Sequence, residues 1–171
     1  MSEGLERLWA GWRSSYIEGI EAAPAVAGAA DSCLFGRLLA MDDADALILE
    51  RTPSWFAVMN AYPYTSGHVM VAPVRHVASI TDLDATEAGA LMHGVQRATS
   101  VIESVYRPEG INVGANIGRA AGAGVPGHVH VHVLPRWNGD TNFMTAIAEA
   151  RVLPESLRHS YDKLHAAWPT P

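Results

Sequence analysis

The chain has 171 residues, 49% of them apolar and 18% charged, with a formal net charge of −6. That length fits one domain with a sizeable core, and the apolar content excludes a disordered chain. The acidic balance argues against a general nucleic-acid binder, which carries a basic face. A single cysteine, Cys33, excludes an internal disulfide framework and fits a reducing compartment.

Residues 3–20 place Leu5, Leu8, Trp9, Trp12, Tyr16, Ile17 and Ile20 at spacings of three and four. This predicts an amphipathic helix, and its mixed charges suit docking or assembly rather than a membrane surface. The acidic start lacks a basic-then-apolar leader, and no run approaches the ~18–20 apolar residues of a membrane span. The expectation is a cytoplasmic protein with no membrane partner. Residues 22–30, with Pro24 and Gly28, read as a linker.

The stretch 34–39 fits helix or strand equally. Strands are expected at 46–51, 55–61 and 67–73, broken by Thr52-Pro53-Ser54 and by Tyr62–Ser66, turn chemistry at hairpin lengths. A long helix over 83–106 carries Ala88, Leu91, Met92, Val95, Ala98, Ile102 and Val105 as one stripe. Thr81 or Asp82 would cap it, and Pro108 with Gly110 would end it. Strands at 110–117 and 128–135 flank the glycine-rich stretch Gly118–Gly127, and a last helix over 154–167 opens at Pro154. Hairpins, one long helix and a second hairpin make an α+β domain with an antiparallel sheet.

The informative segment is Gly127-His128-Val129-His130-Val131-His132-Val133-Leu134-Pro135. A period of two puts the valines on one face of a strand and three histidines on the other. Packing explains a lone strand histidine well, and three in a row beside a glycine-rich loop poorly. Two chemistries compete. Imidazole binds zinc, copper or iron, but three rings spaced ~6.6–6.8 Å apart cannot easily converge on bonds of about 2.0–2.1 Å without a bulge. The other is nucleophilic catalysis on phosphorus, for which His130, with a histidine on each side, is the natural attacking group. The surroundings favour phosphate. Asn112 and Asn116 precede a loop, Gly118–Gly127, small enough for backbone N–H groups to line an anion. It is neither a P-loop nor a dinucleotide fingerprint. Trp137 could stack on a purine and Arg119 or Arg136 could meet phosphates, against packing and solvated alternatives. Trp55 and Trp168 read as packing residues, and His93, His159 and His165 carry no assigned role.

The segment His128–Leu134 resembles the signature of the histidine triad (HIT) superfamily of nucleotide hydrolases and transferases, and the likeness runs from about Cys33 to Trp137. Asn60–Pro73, Arg75-His76-Val77 and Asn112–Gly118 are similar to family segments. The ends Leu5–Arg13 and Pro135–Met144 resemble the bacterial branch related to diadenosine tetraphosphate phosphorylases. This resemblance implies a HIT-like α+β fold with a five-stranded antiparallel sheet and a long helix, flanked by extra terminal helices, usually in a homodimer or higher homo-oligomer. It divides the chain into 1–30 (helix and linker), 31–140 (HIT domain) and 141–171 (a C-terminal extension packing on that domain). His130 would form a nucleotidyl-histidine intermediate, His132 would contact the α-phosphate and His128 would orient the nucleophile. Asn60 would bind the ribose hydroxyls and Asn116 the phosphate or leaving group.

Two departures from the family pattern stand out. Many relatives carry Cys-x-x-Cys that, with two histidines, holds a structural zinc; here the segment is Cys33-Leu34-Phe35-Gly36. Cys33, His76 and His128 could still meet, but three ligands close a site poorly, so no metal is expected. The loop before the triad offers Gly124 and Val125 where some relatives place Ser, Thr or Gln, leaving only backbone amides for the leaving group. The expected activity is phosphorolysis of diadenosine tetraphosphate to ADP and ATP, with no cofactor beyond magnesium carried by the substrate. A hydrolase of dinucleoside polyphosphates or nucleoside phosphoramidates is the enzymatic alternative, and a nucleotide-binding sensor the non-enzymatic one.

Overall fold

The computed structural model describes residues 33–141 and 153–170. The helix expected at 3–20 and the linker at 22–30 lie outside the described residues. Two short helices, α1 (Leu34–Leu39) and α2 (Asp43–Ala46), lead into β1 (Ile48–Arg51), β2 (Trp55–Met59) and β3 (Val69–Pro73). The long helix α3 (Ala85–Tyr106), β4 (Gly110–Gly114), β5 (Val131–Arg136) and α4 (Leu157–Ala167) follow. All five strands join one antiparallel sheet in the order β1-β2-β3-β5-β4. The expected α+β class and five-stranded sheet are therefore what the chain forms.

Alternation along the strands builds two cores. Trp55, Ala57, Met59, Val69, Val71, Val131 and Val133 pack with Leu91, Val95, Ala98, Val101 and Ile102 of α3. Phe56, Val58, Met70 and Ala72 point to the other face, against Cys33, Phe35, Ala46 and Ile48. The apolar stripe of α3 is shifted from the expected one, because Ala88 and Met92 are exposed and Gly94 is buried in their place. A Cβ on Gly94 would stand 2.7 Å from the Trp55 ring and 2.8 Å from Val71, so the missing side chain is what lets helix and sheet approach.

Element ends also differ, for identifiable reasons. The helix starts at Ala85, not 83, since Asp84 with Glu87 forms a capping box there, while Ser79 with Asp82 caps a separate short turn at Ile80–Asp82. The last helix opens at Leu157, capped by Ser156, rather than at Pro154. The strand expected at 128–135 begins at Val131, because the N–H of Val129 is taken by the carbonyl of Val77 (2.7 Å) instead of a ladder partner. Its neighbour stops at Gly114 instead of continuing to 117.

The last helix buries Tyr161 and Leu164 against the α3 core. Trp168 Nε1 and Arg97 Nε both donate to Oε2 of buried Glu50, at 2.7 and 2.5 Å. No helix among the described residues is long and apolar enough to cross a membrane.

Candidate active site

The sheet face opposite α3 carries the histidines. In the ladder, Met70 pairs with His132 and Gly114 with His132 from the other side. The period of two therefore brings His68 and His132 to the same face. His130 and His132 rings lie 4.9 Å apart and nearly perpendicular, and Phe35 lies 5.1 Å from the rings of both His128 and His130.

Hydrogen bonds assign the tautomers. Nδ1 of His130 lies 2.9 Å from the carbonyl of His128, which can only accept, so Nδ1 carries the proton and Nε2 holds the lone pair. Burial lowers the pKa of His130 and keeps it neutral near pH 7. The backbone N–H of Tyr64 donates to His68 Nδ1 (3.1 Å), so the proton of His68 sits on Nε2, 2.9 Å from His132 Nδ1. His132 must then carry its own proton on Nε2. Burial, with a smaller contribution from the neighbouring His130, lowers its pKa to about 4. The pair thus presents one ring nitrogen that can attack and one N–H that can donate to an anion.

His128 behaves differently from the other two. Its Nε2 donates to the carbonyl of Pro73 (2.8 Å). Its main-chain oxygen accepts from the His130 ring, so the hydrogen bond that orients His130 runs through the backbone. Burial is again the main cause of a pKa of about 4.

Continuing the β4–β5 register two residues past Gly114 puts Asn116 level with His130. Asn116 is half-buried with no side-chain hydrogen bond among the described residues. In the following loop Gly118 and Gly122 sit at φ of +81 and +82, conformations that favour glycine. The N–H groups of Gly124, Val125 and Gly127 have no acceptor among the described residues, as an anion-binding loop requires. Asn60 stands beside His68, with Nδ2 3.3 Å from Nδ1, while its Oδ1 accepts the Tyr62 N–H at 3.0 Å.

Three residues considered for phosphate and base contacts make other contacts within this chain. Asn112 Oδ1 accepts from the Arg136 guanidinium (2.8 Å), away from the histidines. Arg136 is itself clamped by Asp140 at 2.5 and 2.7 Å. Trp137, one position off the histidine parity, packs edge-on against Tyr106 on the α3 side, 6.2 Å between centroids, and does not meet the histidines within one chain. Conversely, His68 was assigned no role. Its signal was present in Gly67-His68-Val69-Met70-Val71, a polar residue on the same strand face as Met70 and Ala72.

A second cluster lies behind the triad. Cys33 Sγ and His76 Nδ1 each stand 3.3 Å from Nδ1 of His128, and the three donor atoms lie within 4.8 Å of one another. Because His128 Nε2–H is committed to Pro73, its Nδ1 offers a lone pair. Two nitrogens bound to one tetrahedral zinc at 2.0–2.1 Å sit roughly 3.4 Å apart, and a nitrogen and a sulfur slightly farther. The donor set and its spacing therefore fit a transition metal. Of the triad, His128 alone belongs to this group.

The family model for the HIT domain matches residues 42–139. The chain is 39% identical over 165 residues to the AP-4-A phosphorylase of Mycobacterium tuberculosis, covering 96% of this chain and 85% of that protein. It is 39% identical over 93 residues to the bis(5'-nucleosyl)-tetraphosphatase [asymmetrical] of Schizosaccharomyces pombe, covering 54% of this chain and 50% of that one. Among solved structures, a Zn-bound histidine triad family protein from Mycobacterium smegmatis superposes with a TM-score of 0.66 at 26% identity, over 82% of this chain and 95% of that one. The chain belongs to the HIT domain family.

Proposed function

We propose that this protein cleaves diadenosine tetraphosphate by phosphorolysis, through a nucleotidyl-His130 intermediate. The observation that carries the reading is the tautomer of His130, whose Nδ1–H is held by the His128 carbonyl so that Nε2 is free to attack. In-line attack on the α-phosphorus forms a phosphorus–nitrogen bond and releases ATP. His132 Nε2–H and the Gly124–Gly127 amides stabilise the equatorial oxygens, each such donor commonly being worth a few kcal/mol. Asn116, level with His130, holds the leaving group. An oxygen of inorganic phosphate then displaces His130 and gives ADP. Water is abundant, so phosphate wins only where the vacated subsite binds an oxyanion and excludes water. Walls of backbone amides with no Ser, Thr or Gln suit a tetrahedral anion. The Mycobacterium tuberculosis relative supports phosphate as acceptor by its name. Magnesium comes with the substrate.

The Schizosaccharomyces pombe relative's name favours a second reading, with water as acceptor. Product chromatography with and without millimolar phosphate separates them. Phosphorolysis yields ADP and ATP, with labelled phosphate entering ADP; AMP and ATP at one rate in both tubes would overturn it.

Two further points belong to this reading. A cytoplasmic location is part of this reading, supported by the single cysteine, which fits a reducing compartment. The homodimer of this reading pairs through β4, an outer strand of the sheet exposed at every position but Ile111, with Val113 50% accessible.

A further inference from the structure

We propose, resting on the phosphoanhydride-cleaving reading above, that Arg119 binds the phosphates beyond the one His130 attacks and so selects a long polyphosphate chain. A tetraphosphate bridge brings several negative charges to a chain whose own net charge is −6. The histidines supply no positive charge in return. His130 donates its Nδ1 proton to the His128 carbonyl and keeps a lone pair to attack. His132 Nδ1 accepts from His68, and His68 Nδ1 accepts from the Tyr64 N–H, so both of these rings are neutral as well. A cation must come from elsewhere. Arg51, Arg75, Arg97, Arg136, Arg158 and Lys163 each already pair with a carboxylate. Arg37, Arg107 and Arg119 have no such partner among the described residues. Arg107 ends α3 beside the start of β4, where Gly110 pairs with Arg136, the end of the ladder away from His130. Arg37 is two residues from Phe35, whose ring meets His128 and His130, and residues two apart on a helix face different ways. Arg119 remains.

Its placement suits the distal phosphates. Asn116 is level with His130, and Arg119 follows three residues on, at most about 11 Å along the chain. It stands at the start of the loop whose Gly124, Val125 and Gly127 amides have no acceptor among the described residues. His130 is buried and Arg119 is exposed, so a phosphate chain leading from the reacting phosphorus to solvent passes this loop. The turn that carries Arg119 is fixed by its own backbone. Gly118 and Gly122, both at positive φ, bracket Arg119–Ala121. The N–H groups of Ala121 and Ala123 donate to the Gly118 carbonyl (3.2 and 3.3 Å), and that of Gly122 to the Arg119 carbonyl (2.8 Å). Ala123 is buried and anchors the far side of the turn. A fixed backbone holding a planar guanidinium suits a polyphosphate, whose oxygens can accept two parallel hydrogen bonds from it.

The test measures binding of AMP, ATP and diadenosine tetraphosphate by calorimetry, on the full chain carrying His130→Ala so that nothing is turned over. With Arg119 in place, affinity should rise from AMP to the longer phosphate chains. Adding Arg119→Ala should weaken ATP and the tetraphosphate by about tenfold or more, the effect of one charge-assisted hydrogen bond, and leave AMP unchanged. Arg119→Lys should recover part of the loss, and Arg107→Ala should leave all three affinities as they were. Circular dichroism confirms that each variant is folded. Tetraphosphate affinity unchanged in Arg119→Ala, or an equal loss for AMP, would overturn the proposal. Cleavage of diadenosine tetraphosphate is read separately, with His130 restored. No cleavage by the wild type would end the functional reading itself; cleavage without the binding contrast would end only the role of Arg119.

Discussion

Lowering the pH tests the buried, neutral state of His132. Its folded pKa is about 4, against 6.5 for a free histidine, with burial as the main cause. Between those values the unfolded chain binds a proton that the folded chain refuses, so stability rises with pH across the window and is lost as pH falls from 6.5 toward 4. At about 1.4 kcal/mol per pH unit, His132 alone removes about 1.4 kcal/mol by pH 5.5 and about 2.5 kcal/mol by pH 4.5, relative to pH 8. That is a sizeable share of a total stability of roughly 5–15 kcal/mol. The paired carboxylate of Glu87, lowered to about 2 chiefly by its hydrogen bond from Arg75, loses its contribution only below about pH 4.5, whereas His128 and His130, also lowered by burial, act in the same window and remain in both proteins, so the difference between the two curves isolates His132. Urea unfolding followed by tryptophan fluorescence, in chelator, at pH 8, 6.5, 5.5 and 4.5 measures the loss. In His132→Gln the decline should be shallower by the amount above. Parallel curves for wild type and variant, or a wild-type curve flat down to pH 5, would refute the buried neutral imidazole.

His130→Ala should abolish turnover while nucleotide binding survives, because phosphate and ribose contacts remain; a variant retaining more than about a tenth of the rate, where lost nucleophiles cost orders of magnitude, would end the covalent mechanism. Two glycines on α3 should respond in opposite ways in thermal unfolding. Gly94→Val drives a side chain into Trp55 and Val71 and should cost about 1–3 kcal/mol. Gly89→Ala meets nothing within 4 Å and should gain up to about 1 kcal/mol from helix propensity.

The sheet was legible because its strands are short apolar runs bounded by turn residues, and the histidines because packing explains three polar residues at period two poorly. Three other features depend on contacts between distant segments, which local periodicity does not encode. Gly94 reads as a weak helix residue until the sheet beneath it is known. His68 gains meaning only from Met70 facing His132 across 62 residues of chain. Trp137 reads as a base platform from its nearness in sequence to the triad, while the parity of β5 sends it to the other face. The ends of strands were misplaced where one backbone donor chose a loop carbonyl, as Val129 does with Val77.

The two margins of the sheet are finished differently. Along β1 the Tyr161 hydroxyl reaches the Ile48 carbonyl at 3.4 Å, Arg51 is tied to the Leu39 and Met41 carbonyls, and Glu50 is clasped by Arg97 and Trp168. Along β4 the outward backbone groups have no hydrogen-bond partner among the described residues. A sheet that can add a strand on one side only satisfies itself with a single neighbour and then has nothing left to offer. In the proposed homodimer, growth would stop at two, so the exposed margin that would seed a filament in a two-edged sheet becomes a self-limiting one.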